Sequence, residues 1–142
     1  MKRMYSILFG AVLTLFFGSC SLDDDRVNFQ YVPLEILSAS VPDTFEFGQV
    51  YEINVNLLRP NECTLSEGFD VHRSANDSMN IRTVSAIGIL LDEDDCPEIN
   101  QEVEDSFQFE VVYSKPYLFR FYTGDDSEGN PEFLEIEVPV NN

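Results

Sequence analysis

Apolar and polar residues alternate between positions 51 and 57, with Tyr51, Ile53, Val55 and Leu57 on one parity and Glu52, Asn54 and Asn56 on the other. Successive side chains of a strand point to opposite faces, so this stretch predicts a strand with one face in a core and one in water. The same period of two recurs at Phe107, Phe109, Val111 and Tyr113, at Tyr117, Phe119 and Phe121, and at Leu134, Ile136, Val138 and Val140. Residues 34–41 and 81–91 are instead apolar and β-branched on both parities. That pattern predicts strands nearer the centre of a sheet. Residues 68–72 supply a seventh candidate, and nothing beyond residue 20 carries a sustained stripe of period 3.6.

About seven strands in some 110 residues predict an all-β fold, a single immunoglobulin-like β-sandwich of antiparallel strands, with a small closed barrel as the structural alternative. The chain has no Trp, and neither Cys63 nor Cys96 lies in an alternating stretch, so the Cys, Trp, Cys hallmark of antibody domains is missing. Ser114, Lys115 and Pro116 read as a tight connection, and residues 125–131, with Gly129 and Asn130, as a longer hairpin loop.

The N-terminus follows another logic. Lys2 and Arg3 precede an apolar run over residues 7–17, broken only by Gly10 and Thr14, and small residues Gly18 and Ser19 follow. This run is too short to span a bilayer, which takes about 20 residues, and reads as a secretory signal. Its end, Phe17, Gly18, Ser19, Cys20, resembles the lipobox of bacterial lipoproteins. The resemblance implies a diacylglycerol on the Cys20 sulfur, cleavage before Cys20 and acylation of the new amino terminus. Ser21, Leu22, Asp23, Asp24 and Asp25 resemble the export signal of Bacteroidota-type lipoproteins, which implies the outer membrane with the domain facing the cell exterior; the periplasmic face is the alternative. The expected organisation is a signal peptide over residues 1–19, a lipidated cysteine with an acidic tether over 20–32, and the sandwich over 33–142. The mature domain resembles small all-β envelope lipoproteins of unknown function, a likeness that carries no functional residue with it.

Removal of the signal leaves six basic residues against 26 acidic ones, a formal charge of −20. Nucleic acid is excluded as a partner, because binding it requires Lys and Arg to neutralise phosphates. Anionic lipid headgroups also repel such a chain, so attachment rests on the acyl chains. Aromatic residues make up 13% of the sequence, which sets it apart from disordered acidic chains.

With Cys20 spent on lipid, Cys63 and Cys96 remain as an even pair in an oxidising compartment and are expected to form a disulfide. Antiparallel reversal would also gather acidic loops at one end of the sandwich. Asp92, Asp94 and Asp95 beside Asp125 and Asp126 are thus candidate ligands for Ca²⁺, a hard cation that wants six to eight oxygens. The bland alternative is a set of solvated loop tips. No cofactor is otherwise implied. Catalytic signatures are missing: His72 is the only histidine, and neither GxSxG nor a glycine-rich phosphate loop occurs. Asp77, Ser78 and Met79 resemble the Bacteroidota-type O-glycosylation sequence, which implies sugar on Ser78 in an exposed loop. Phe29, Tyr31 and Tyr122 fall outside the buried parity or in the tether and are candidate contact aromatics. The expected function is a membrane-anchored, non-catalytic binding or accessory module of the envelope with a protein or glycan partner; the alternative is a small Ca²⁺-dependent hydrolase or hydrolase-associated domain.

Overall fold

The computed structural model describes residues 28–141. Its strands are β1 (Phe29–Leu34), β2 (Ile36–Ser40), β3 (Phe45–Glu46), β4 (Val50–Asn61), β5 (Thr64–His72), β6 (Ile81–Leu91), β7 (Glu98–Glu110), β8 (Tyr117–Asp125), β9 (Pro131–Val138) and β10 (Val140–Asn141). No helix occurs among the described residues. One sheet has three strands in the order β2-β4-β7, a second has five centred on β6, and β3 and β10 form a small ribbon. The fold is an all-β sandwich, with ten strand segments among the described residues rather than about seven.

Two pairings depart from the antiparallel expectation, since β6 runs parallel to β8 and β3 parallel to β10. The first places two strands of opposite direction on one edge of β6. β5 occupies one edge of β6 along residues 83–90, so β1 and β8 must share the other edge. β1 covers residues 86–91 of β6 and β8 covers residues 81–84. The short segment 114–116 accordingly joins strands of different sheets rather than closing a hairpin. Tyr117 fixes that crossover: its buried hydroxyl accepts hydrogen bonds from the backbone N–H of Val112 at 3.0 Å and of Tyr113 at 2.9 Å.

The alternating parities become the core. Ile53, Val55, Leu57 and Phe109 of the three-stranded sheet face Leu34, Val84, Ala86, Phe119 and Phe121 of the other, all buried. Fully burying one such side chain contributes roughly 1.5 to 3 kcal/mol. Phe45 plugs one end, its ring 4.8 Å from Tyr51 and 5.7 Å from Phe109. One side is closed where Ser66 donates to the Asp105 carboxylate at 2.6 Å and Phe69 meets Phe107 at 5.1 Å.

Residues 29–32, expected in the tether, belong to β1. Apart from exposed Gln30 both parities there are apolar, Val32 and Leu34 turning inward and Phe29, Tyr31 and Pro33 outward, so no sustained alternation shows. Glu35 then separates β1 from β2 as the chain changes sheets.

Candidate functional site

β6 was expected near the centre of a sheet, and it is paired along both edges, by β5 on one and by β1 and β8 on the other; its two faces differ. Val84, Ala86 and Gly88 are buried, while Ser85, Ile87 and Ile89 are half-buried on the outer face. Register aligns Tyr31 on β1 and Leu65 on β5 with Ile89, and Pro33 and Gly68 with Ile87. Tyr31 is 65% exposed, Phe29 51% and Leu65 44%. The Phe29 and Tyr31 rings meet edge to face at 5.5 Å. The result is an apolar, partly aromatic surface on the outside of the sheet.

A groove crosses this surface. A β-bulge between Ser66 and Gly68 inserts Glu67 into β5, and Gly68 takes φ 151°, a conformation that favours glycine. Nothing lies within 4 Å of where a Gly68 Cβ would stand, so the row through Pro33 and Ile87 ends in open space. The groove has a volume of about 550 Å³; Tyr31 and Pro33 line it from β1, Ser85 and Ile87 from β6, Glu67 and Asp70 from β5. That size suits a small ligand or one projecting segment of a larger one. Its charged side chains are both acidic, and Asp70 also bonds to exposed His72, Oδ2 to Nδ1 at 2.8 Å.

The other candidate residues are distributed differently. Cys63 and Cys96 form the expected disulfide, with Cα atoms 5.4 Å apart. It ties the β4–β5 turn to the connection between β6 and β7. The turn is also clasped by Arg59, whose guanidinium donates to the carbonyls of Thr64 and Glu62, each at 2.6 Å.

The acidic loops do not converge. Asp92 sits where β1 begins, its N–H donating to the Asn28 carbonyl at 2.9 Å. Asp125 lies on β8 next to Gly124, whose Cβ position would fall 3.2 Å from the Glu35 carboxylate, where β1 has ended. β8 does point the expected way, but it pairs with only the first four residues of β6 and stops short. The six residues of β1, extended at about 3.3 Å each, separate Asn28 from Glu35. Asp125 accepts the Tyr122 hydroxyl at 3.0 Å. Asp126 caps its own hairpin, with Oδ1 accepting from the N–H groups of Glu128 and Asn130 at 2.8 and 2.9 Å. The Asn130 side-chain amide, followed by these N–H groups, holds the Asp126 carboxyl below the ordinary aspartate value. Among the described residues no three His, Cys, Asp or Glu side chains gather as a metal site. Asp92, Asp94 and Asp95 are thus not brought together with Asp125 and Asp126.

Ser78 is exposed in the loop between β5 and β6, its carbonyl accepting the Ile81 N–H at 3.1 Å. Tyr122 packs on the outer side of the β8–β9 hairpin, 6.3 Å from Phe133, and desolvation first, then the bond to Asp125, raises its pKa. Cys20, the lipobox-like run and the acidic residues after it lie outside the described residues. Phe29 and Tyr31 were legible as candidate contacts, whereas Pro33, Leu65, Glu67, Asp70, Ser85 and Ile87 were not. The available signal was the apolar outer parity of residues 81–91 beside neighbours too polar to cover it.

No protein-family model, curated protein or solved structure matches this chain.

Proposed function

We propose that this chain is a lipid-anchored, non-catalytic docking module of the bacterial cell envelope, held by Cys20 and presenting the outer face of β1, β6 and β5 to a partner. The observation that carries the docking role is the exposed ridge of Phe29 and Tyr31 beside an apolar groove with two carboxylates. Exposed apolar surface costs solubility, and a contiguous patch of it rimmed by polar groups marks an interaction site. The lipobox-like run and the acidic residues behind it support the anchor, and they favour the outer membrane with the domain outward. The sandwich begins at Phe29, nine residues after Cys20. An extended tether of that length reaches about 30 Å at most, so a partner would meet the face close to the membrane. The Asp77, Ser78, Met79 likeness supports a glycan on Ser78, in a loop at the far end of β6 from Phe29.

Photocrosslinking in living cells tests the reading. A photoreactive phenylalanine in place of Leu65, on the apolar face, is expected to yield a discrete adduct, and one in place of Asn54, on the opposite sheet, none. Equal labelling at both positions, or none at Leu65, defeats the docking role. In the same cells Cys20→Ala is expected to move the protein from the membrane to the soluble fraction, and retention in the membrane defeats the anchor.

A further inference from the structure

Resting on that docking role, we infer that the occupant of the groove is a basic polypeptide segment: one Lys or Arg side chain lies along Ile87 and Pro33, its charged head reaching Glu67 and Asp70 beside the Tyr31 ring. Three properties of the groove specify this chemistry. Its floor is apolar and matches the methylene stem of a long cationic side chain, which covers apolar surface while its head stays solvated. Both of its charged lining residues are carboxylates, in a chain whose formal charge is −18 even with its basic N-terminus counted. A cation is drawn to that end and steered there from a distance. The aromatic wall then adds a face on which a cation can rest. This fold makes that contact elsewhere, with the Arg82 guanidinium 5.3 Å from the Tyr117 ring centroid and Arg120 6.0 Å from that of Phe133.

The same charge argues against other occupants. A second copy of this chain carries the same negative charge, anionic lipid headgroups and nucleic acid are repelled, and a neutral glycan, although its hydroxyls can donate to carboxylates, gains no charge attraction from them. A polypeptide also suits the neighbouring backbone. Among the described residues β1 is paired along one edge only, with β6, so an extended segment at the groove can lie beside a strand whose other edge is open.

The test uses the full-length lipidated protein in detergent micelles and fluorescent octapeptides of alternating Lys and Leu, Lys and Ser, or Glu and Leu. The Lys and Leu peptide is expected to bind, with the other two at least about tenfold weaker, a difference near 1.4 kcal/mol. Tyr31→Ser and the double variant Glu67→Gln with Asp70→Asn should each weaken binding about tenfold, the scale of one cation–aromatic or charge contact. The double variant should also flatten the dependence on salt. Asn54→Ser should change nothing. All of these positions are exposed, and thermal melting verifies that each variant is folded. Equal binding of the Lys and Ser peptide would reduce the effect to bulk charge, equal binding of the Glu and Leu peptide to bare hydrophobicity, and unchanged binding in both variants would place the site elsewhere; each overturns the inference. A dimer in sedimentation that Tyr31→Ser converts to monomer overturns it in favour of a second copy. Adducts at position 65 that the Lys and Leu peptide does not compete away defeat this occupant and leave the docking role standing, whereas absence of adducts defeats the docking role itself.

Discussion

Outside the three-stranded sheet, polar side chains answer one another: Ser106 donates to Glu52 at 2.8 Å, and Asn56 to Ser38 at 3.0 Å. Asn54 pairs with Ser106 across β4 and β7, and Glu52 with Gln108. Outside the five-stranded sheet the same positions hold Tyr31, Pro33, Ile87, Ile89 and Leu65. Both faces belong to half-buried sheets over a shared core, so packing does not explain the difference. A polar ladder of this kind satisfies itself and keeps an open sheet soluble. The apolar face retains unsatisfied contact surface and is the one that a partner can cover with gain.

Covalent support differs between the two sheets as well, and that gives the largest expected effect. β5 and β6, two of the three strands under the apolar face, lie inside the loop closed by Cys63 and Cys96. Replacing both cysteines with alanine should destabilise the domain by about 3 to 4 kcal/mol on the chain-entropy account of a loop this long, read as a lowered urea midpoint. Amide exchange should rise more in β5 and β6 than in β2 and β4. A uniform rise would mean that the bridge does not favour this face.

β1 offers a smaller perturbation. A Cβ on Gly88 would stand 2.9 Å from Cγ of buried Leu34, the side chain that seats the end of β1 in the core. Gly88→Ala should cost about 1 to 3 kcal/mol by overpacking and should loosen Phe29, Tyr31 and Pro33 while sparing the polar ladder. Exchange that accelerates equally in β7 would break the distinction.

The smallest effect belongs to the β8–β9 hairpin, which contributes to neither surface and controls for both. The lowered Asp126 pKa means that the folded hairpin favours the carboxylate. Its contribution is therefore present above the unfolded value, about 3.9, and is lost as pH falls through the folded one. Asp126→Asn should lower the melting temperature slightly at neutral pH, and the gap from the parent should close in acid. A gap that persists below pH 3 would show that ionisation is not its source.

The sequence revealed which side of a strand is buried far better than which strand stands beside it. Ile53, Val55, Leu57, Phe119 and Phe121 are buried as their alternation requires, because period two reports a face directly. Pairing leaves no such trace. Nothing in residues 117–121 shows which strand stands beside them or in what register, and the register on β6, which reaches only residues 81–84, is what keeps Asp125 and Asp126 short of Asp92. The first half of β7 was hidden because Asp105 turns toward the sandwich interior to meet Ser66, interrupting the apolar parity between Val103 and Phe107. The cysteine pair was legible since its argument needs only parity of number and compartment. The groove was not, because it depends on which side chains of β1, β5 and β6 stand side by side, and the register that sets this leaves no mark on the sequence.

The bridge between Cys63 and Cys96 has one more consequence, which concerns proteolysis. The segment 73–80, exposed except at half-buried Asp77 and Asn80, lies between the two cysteines, so a protease that severs it does not divide the protein. The piece ending with β5 and the piece beginning with β6 remain one molecule, joined through sulfur and through the ladder between those strands. Such a cut is silent on a non-reducing gel of the denatured protein and appears as two fragments once the disulfide is reduced.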